Sequence, residues 1–120
     1  MNCLQYYCKR ESDVDATPYT YLFIRTDLSP AQQIVQASHA ALEAGNRFGP
    51  HSHLVLIAAE GEDTLLKAAA QLNEQGIELE TFFEPDENAG YTAFCTQPLQ
   101  GEQRKPLRKY QLYRAMEAVA

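Results

Sequence analysis

No run of apolar residues in this chain approaches the roughly 18 needed to span a bilayer, which argues against a transmembrane helix. The first residues, MNCLQYYCKRESDVDATP, lack the apolar core of a secretory signal, so a cytoplasmic protein without a membrane partner is expected. Cysteine is scarce. Cys3, Cys8 and Cys95 form no C-x-x-C pair and cannot all pair within one chain, so reduced, structural thiols are expected. His51 and His53 stand two apart in a Gly-Pro turn, and no His/Cys set has zinc-like spacing. Neither a metal nor a cofactor is implied. Gly-rich phosphate loops of either common form are missing, which weakens a nucleotide-binding reading, and no G-x-S-x-G elbow points to a serine hydrolase.

Positive charge is also in short supply, since the net charge is −6. That balance opposes nucleic-acid binding by bulk attraction. Its distribution is uneven. Residues 102–120 hold Arg104, Lys105, Arg108, Lys109 and Arg114 against Glu102 and Glu117, a local +3 that leaves −9 elsewhere. Arg104/Arg108 and Lys105/Lys109 are i,i+4 pairs, which a helix would gather on adjoining faces. Such a face is either plainly solvated or touches phosphates.

What is present is the patterning of a folded α/β domain. With 120 residues, 45% hydrophobic, the chain can bury one sizeable core, and one domain over residues 1–120 is expected. Residues 1–17 read as an extension or extra strand. TYLFIRT (20–26) is apolar on both faces, as a central strand should be. Ser29 and Pro30 then open a helix, with Gln32 completing an S-x-x-Q capping box. Ile34, Ala37, Ser38, Ala41 and Leu42 are its expected buried stripe, and Gly45 and Asn46 its stop.

HLVLIAA (53–59) is a second strand, EDTLLKAAAQLNEQG (62–76) an amphipathic helix, and IELETFF (77–83) a third strand. EPDENAG (84–90) makes a turn, and YTAFCTQ (91–97) a fourth strand closed by Pro98. From about Lys105, the positions Leu107, Tyr110, Leu112, Tyr113 and Met116 fit a basic C-terminal helix within 102–120. The expected fold is a three-layer α/β/α sandwich with a small mixed four-stranded sheet, strand four antiparallel.

Ligands of open α/β sheets sit beyond the carboxyl ends of the strands. Asp27 leaves strand one, and the EPDE turn leaves strand three. If those strands share a direction, both loops emerge beside the first helix's N-terminus, whose N–H groups suit a phosphate or an oxyanion. On that helix Gln32, Gln36, His39 and Glu43 form a polar stripe, which is either a solvated face or one wall of a site. His39 near Asp27 or Asp86 would be equipped for proton transfer.

FIRTDL (23–28) and VQASHA (35–40) resemble the signature of the archaeal/eukaryotic-type (type two) peptidyl-tRNA hydrolases, V-x-R-x-D-L followed by G-K-x-A-A-Q-x-x-H-A. The matched residues are Arg25, Asp27, Leu28, Gln36, His39 and Ala40. The order of elements follows that family more loosely over about residues 20–98. The resemblance implies a mixed four-stranded sheet between helices. It also implies hydrolysis of the ester joining a peptide, or an N-blocked amino acid, to the 3′ ribose of tRNA. Gln32 stands where the family has a lysine. The family's aspartate after strand three maps on to Asp86, with Glu84 as an alternative. Its first threonine falls on Gly90, and Thr92 matches a later strand threonine.

Carried over, the resemblance makes Asp86, His39 and Gln32 the catalytic candidates. Asp27, Gln36, Thr92, Arg104 and Arg108 become the substrate-binding candidates, with Asp27 and Gln36 expected to hold loop and helix in place. Peptidyl-tRNA is the expected partner, and a homodimer stays open. The competing expectation is a non-catalytic relative that binds tRNA or a protein.

Overall fold

The computed structural model describes residues 16–114. Strand β1 (Tyr19–Arg25) leads to helix α1 (Pro30–Phe48), strand β2 (His53–Ala59) to helix α2 (Glu62–Glu74), and strand β3 (Leu79–Glu84) through a tight hairpin to strand β4 (Gly90–Thr96). The sheet order is β2-β1-β4-β3, with β1 parallel to β2 and β4 antiparallel to both its neighbours. The expected mixed four-stranded sheet is therefore present, and β1 and β3 run in the same direction without touching.

α1 packs across β1, β4 and β3 on one face, and α2 across β4, β1 and β2 on the other. The α2 side is built of large side chains: Phe23, Phe94, Ile57, Leu65 and Leu72, with Phe23 and Phe94 stacked 4.2 Å apart. The α1 side is built of Leu22, Ile24, Ala40, Ala44, Ala93 and Cys95. Burial pushes the Cys95 thiol up to about 11, so it stays protonated and inert. Among the described residues no helix is long and apolar enough to cross a membrane.

Helix α1 departs from its expected buried stripe. Ile34 (69% exposed) and Leu42 (74%) face outward, Ser38 is exposed, and the buried positions are Gln36, Ala40 and Ala44. Small residues set the contact because a helix lying close over two central strands has no room for leucine there. The helix also runs past Gly45 and Asn46 to Phe48, with Gly49 at φ 95° as its cap. At its start only half of the capping box forms, with Ser29 Oγ accepting the Gln32 N–H at 3.2 Å.

The basic C-terminal helix is the larger correction. Gly101–Leu107 is a 3₁₀ helix, and the chain then extends. Leu107 is buried under the α2-side core. The Tyr110 ring meets Phe23 edge-on at 5.1 Å, and its hydroxyl bonds Gln71 Oε1 at 2.8 Å. Ala58 N–H donates to Gln111 O, and Tyr113 N–H donates to Leu56 O, each at 2.9 Å. An open strand edge at β2 offered backbone partners that a helix could not have used, and the apolar spacing alone did not register them. Met116 lies outside the described residues, as does most of the expected 1–17 extension.

Candidate functional site at the carboxyl edge of the sheet

Because β1 and β3 share a direction, their exits meet at one edge, and a single arginine joins them. Arg25, the last residue of β1, donates from Nε to Asp27 Oδ1 at 2.9 Å and from Nη2 to Asp27 Oδ2 at 2.8 Å. Its Nη1 donates to the carbonyls of Ala89 and Tyr91 in the β3–β4 hairpin, the latter at 3.1 Å. The same hairpin is held from the far side, where Glu62 Oε2 in the first turn of α2 accepts the Tyr91 N–H at 2.7 Å. The bidentate guanidinium holds the Asp27 carboxyl below its usual range, and that carboxylate raises Arg25 in turn. Asp27 is thus an anchor whose two oxygens are both engaged.

The hairpin is a turn through Asp86–Asn88, with Glu87 at φ 57° and Asn88 at φ 56°, both left-handed. Gly90 follows at φ 76°, where a side chain would be strained and its Cβ would push the Glu62 carboxylate off the Tyr91 N–H, so glycine suits the position. Asp86 N–H donates to Glu84 Oε1 at 3.0 Å. Glu84 is thereby committed to shaping the turn, while Asp86 is exposed.

Helix α1 brings Gln32 to this edge in its first turn. Its inward line is Gln36, Ala40 and Ala44, and its β2-side flank carries Ile34, Ala37 and Ala41. Gln32, His39 and Glu43 therefore lie on the opposite flank, the one turned toward β3. His39 is exposed and seven residues beyond Gln32, about 10 Å farther along the helix from the edge. No hydrogen bond among the described residues joins His39, Asp86 and the Gln32 side chain. Gln32 and Asp86 share the edge, and His39 stands back from it.

The helix's own anion seat is small. Pro30 has no N–H, the Gln32 N–H is taken by Ser29 Oγ, and the Gln33 N–H goes to Ser29 O at 2.9 Å, which leaves Ala31.

Gln36 and Thr92 are structural. Both are buried, and Thr92 Oγ1 donates to Gln36 Oε1 at 2.9 Å. Strict alternation along β4 would point Thr92 away from α1. The register shows why it does not: Phe82 pairs with Ala93 and Phe83 with Tyr91, so Thr92 is the extra residue of a bulge. A bulge re-aims the side chain at its centre. Neither residue reaches a ligand at the surface.

Arg104 is committed elsewhere. Its guanidinium lies 3.6 Å over the Tyr19 ring, and Nε donates to Tyr21 Oη at 2.8 Å. Tyr19 starts the strand that Arg25 ends, so Arg104 sits about 20 Å from the candidate edge. Arg108 is exposed in the turn after the 3₁₀ helix, and Lys105 pairs with Glu102 at 3.2 Å. The basic residues are therefore not gathered on one helix face.

The sequence pattern singled out neither Glu62 nor Gln33. Gln33 Nε2 donates to the carbonyls of Thr26 (3.1 Å) and Leu28 (2.7 Å), while its Oε1 accepts from Tyr113 Oη at 2.7 Å. It closes the β1–α1 loop across a 260 Å³ slot lined by Ile24, Ile34, Ala37, Leu56 and Tyr113. No local signal marks a residue whose partners lie up to 80 positions away. Among the described residues no group of three metal-ligating side chains comes together. No protein-family model matches this chain, and no curated protein does.

Proposed function

We propose that this protein hydrolyses the ester between a peptide, or an N-blocked amino acid, and the 3′ ribose of tRNA. The observation that carries this reading is the shared edge: β1 and β3 run in one direction, and the Arg25 clasp sets the Asp86 hairpin beside the N-terminus of α1. Asp86, whose exposed carboxylate has no hydrogen-bond partner among the described residues, positions or deprotonates the attacking water. Gln32 supplies a neutral N–H donor to the developing oxyanion, where a charged donor would stabilise it further. His39, set back along the same helix flank, lines the acyl side of the ester. Asp27 and Gln36 hold the loop and helix. Arg108, Lys105 and Lys109 meet the tRNA backbone away from the edge, so activity should fall as salt rises.

A second reading is favoured by one observation. Leaving out Asp27, which Arg25 pairs, the strand ends, loops and first turn of α2 at this edge hold Glu60, Glu62, Asp63, Glu84, Asp86 and Glu87, and among the described residues there Arg25 is the sole cation. Phosphates are repelled there, which suits a non-catalytic domain that binds tRNA through its basic segment or binds a basic protein.

Incubation with N-acetyl-aminoacyl-tRNA separates the two. Hydrolysis by the wild type, lowered about 100-fold or more in Asp86→Ala and raised in Gln32→Lys, is the expected outcome. Absence of release from the wild type, with release appearing in Gln32→Lys, identifies the binding domain. Release that persists in Asp86→Ala removes the hydrolase mechanism as stated.

A further inference from the structure

Arg25 belongs to the matched signature, but the resemblance gives it no task. We propose that Arg25 is a positioning residue, which draws the β3–β4 hairpin on to the β1–α1 loop and so fixes where the Asp86 carboxylate stands.

Four contacts support the assignment. One edge of the planar guanidinium grips both oxygens of Asp27, and Nη1 reaches the carbonyls of Ala89 and Tyr91. The first of those carbonyls follows directly on Glu87 and Asn88, two non-glycine residues in left-handed backbone, and the second comes two residues later. Such a conformation persists only where the surroundings hold it. Arg25 holds it from β1, and Glu62 holds it from α2 by taking the Tyr91 N–H between the two gripped carbonyls. Two loops thus meet on one guanidinium, and the first turn of α2 holds the hairpin beside it.

The Arg25 side chain is 11% exposed, and of its five N–H groups one is left over. It is therefore spent within the protein, and a phosphate grip must come from elsewhere. Lysine could not replace it, because an ammonium has no fork to serve a carboxylate and two carbonyls at once.

The positional claim stands apart from the proposed function, whereas its kinetic consequence rests on that reading. Amide hydrogen exchange on the full chain tests the first, comparing wild type with Arg25→Gln, Arg25→Lys and Asp27→Asn. Arg47→Gln serves as control, since Arg47 ties α1 to Leu79, Glu78 and Glu80 at the other end of β3. Hairpin amides, Ala89 and Tyr91 foremost, should exchange about 10- to 100-fold faster in both Arg25 variants, the range for losing a charge-assisted bond. Phe23 and Phe94 should keep their protection. Asp27→Asn should fall between, and Arg47→Gln should leave the hairpin unchanged.

In the hydrolysis assay kcat should fall in Arg25→Lys while KM holds. Hairpin exchange that is unaltered in the Arg25 variants overturns the proposal, as does an equal acceleration of hairpin and central strands. If Arg25→Gln does not fold, Asp27→Asn decides by the same two criteria. A wild type that hydrolyses nothing, yet whose variants free the hairpin, overturns the proposed function and supports the positioning role. Full activity with a freed hairpin severs the link between them.

Discussion

The two faces of the sheet are built on different principles. On the α2 side Phe23, Phe94, Ile57, Leu65 and Leu72 interlock as large apolar bodies. On the α1 side the helix contributes the small Ala40 and Ala44 against Leu22, Ile24, Ala93 and Cys95 of the sheet, and a buried Thr92–Gln36 hydrogen bond joins the two. The first face stabilises by area removed from water, and the second by close approach and polar pairing. Both reach the candidate edge, the first through Glu62 in the first turn of α2 and the second through Gln32 in the first turn of α1. The difference teaches that α1 is held as a positioned platform, whereas α2 anchors the fold.

The comparison can be broken first at its strong side. Phe94→Ala should cost about 3–5 kcal/mol in urea unfolding, since it removes a fully buried ring and its stack on Phe23. A loss below 1 kcal/mol would deny that the α2 side carries the fold. On the α1 side, Ala40→Leu should destabilise by about 1–3 kcal/mol through overpacking, because Ala40 has no exposure at all.

Thr92→Val leaves Gln36 without its buried partner and should cost about 1–3 kcal/mol, whereas Thr92→Val combined with Gln36→Leu should recover much of it. Additive losses would mean that the pair is not a unit.

At the edge, Asp27 has a folded pKa below its unfolded value. Its contribution is therefore present above about pH 4 and disappears as pH falls through the lower folded value. Asp27→Asn should remove that limb of the acid profile, a small effect for a carboxylate 43% exposed. The smallest effect belongs to Leu42→Gln, within about 0.5 kcal/mol, because Leu42 faces solvent. A large loss there would reinstate the stripe that helical periodicity suggested.

That stripe shows where local pattern misled. Ile34 and Leu42 look like core by hydrophobicity, yet a helix crossing β1 and β4 closely accepts only Ala40, Ala44 and a bonded Gln36. The strands were legible because apolar runs such as HLVLIAA can be satisfied in few ways, and β2 falls on the residues expected. The hairpin was legible from Pro85 and Gly90. The C-terminal helix was not a sound reading, because Tyr110, Leu112 and Tyr113 satisfy a helical period and an extended edge segment equally well. The β2 edge decided between them. At the candidate edge, the placement of Asp27, Asp86 and Gln32 at strand exits and the start of α1 was readable from the order of the elements. Glu62, Gln33 and the turned Thr92 were not.

By itself the sequence determined the four strands, the two long helices, their order and the polar residues that leave each strand, because periodicity, capping and turn chemistry act over a few residues. Only the tertiary structure decided which face of α1 turns inward, where the tail lies, and that one guanidinium joins the β1–α1 loop to the β3–β4 hairpin. Those outcomes depend on partners roughly 30 to 90 positions apart, whose meeting is set by packing and by unpaired backbone groups, and no local pattern encodes them.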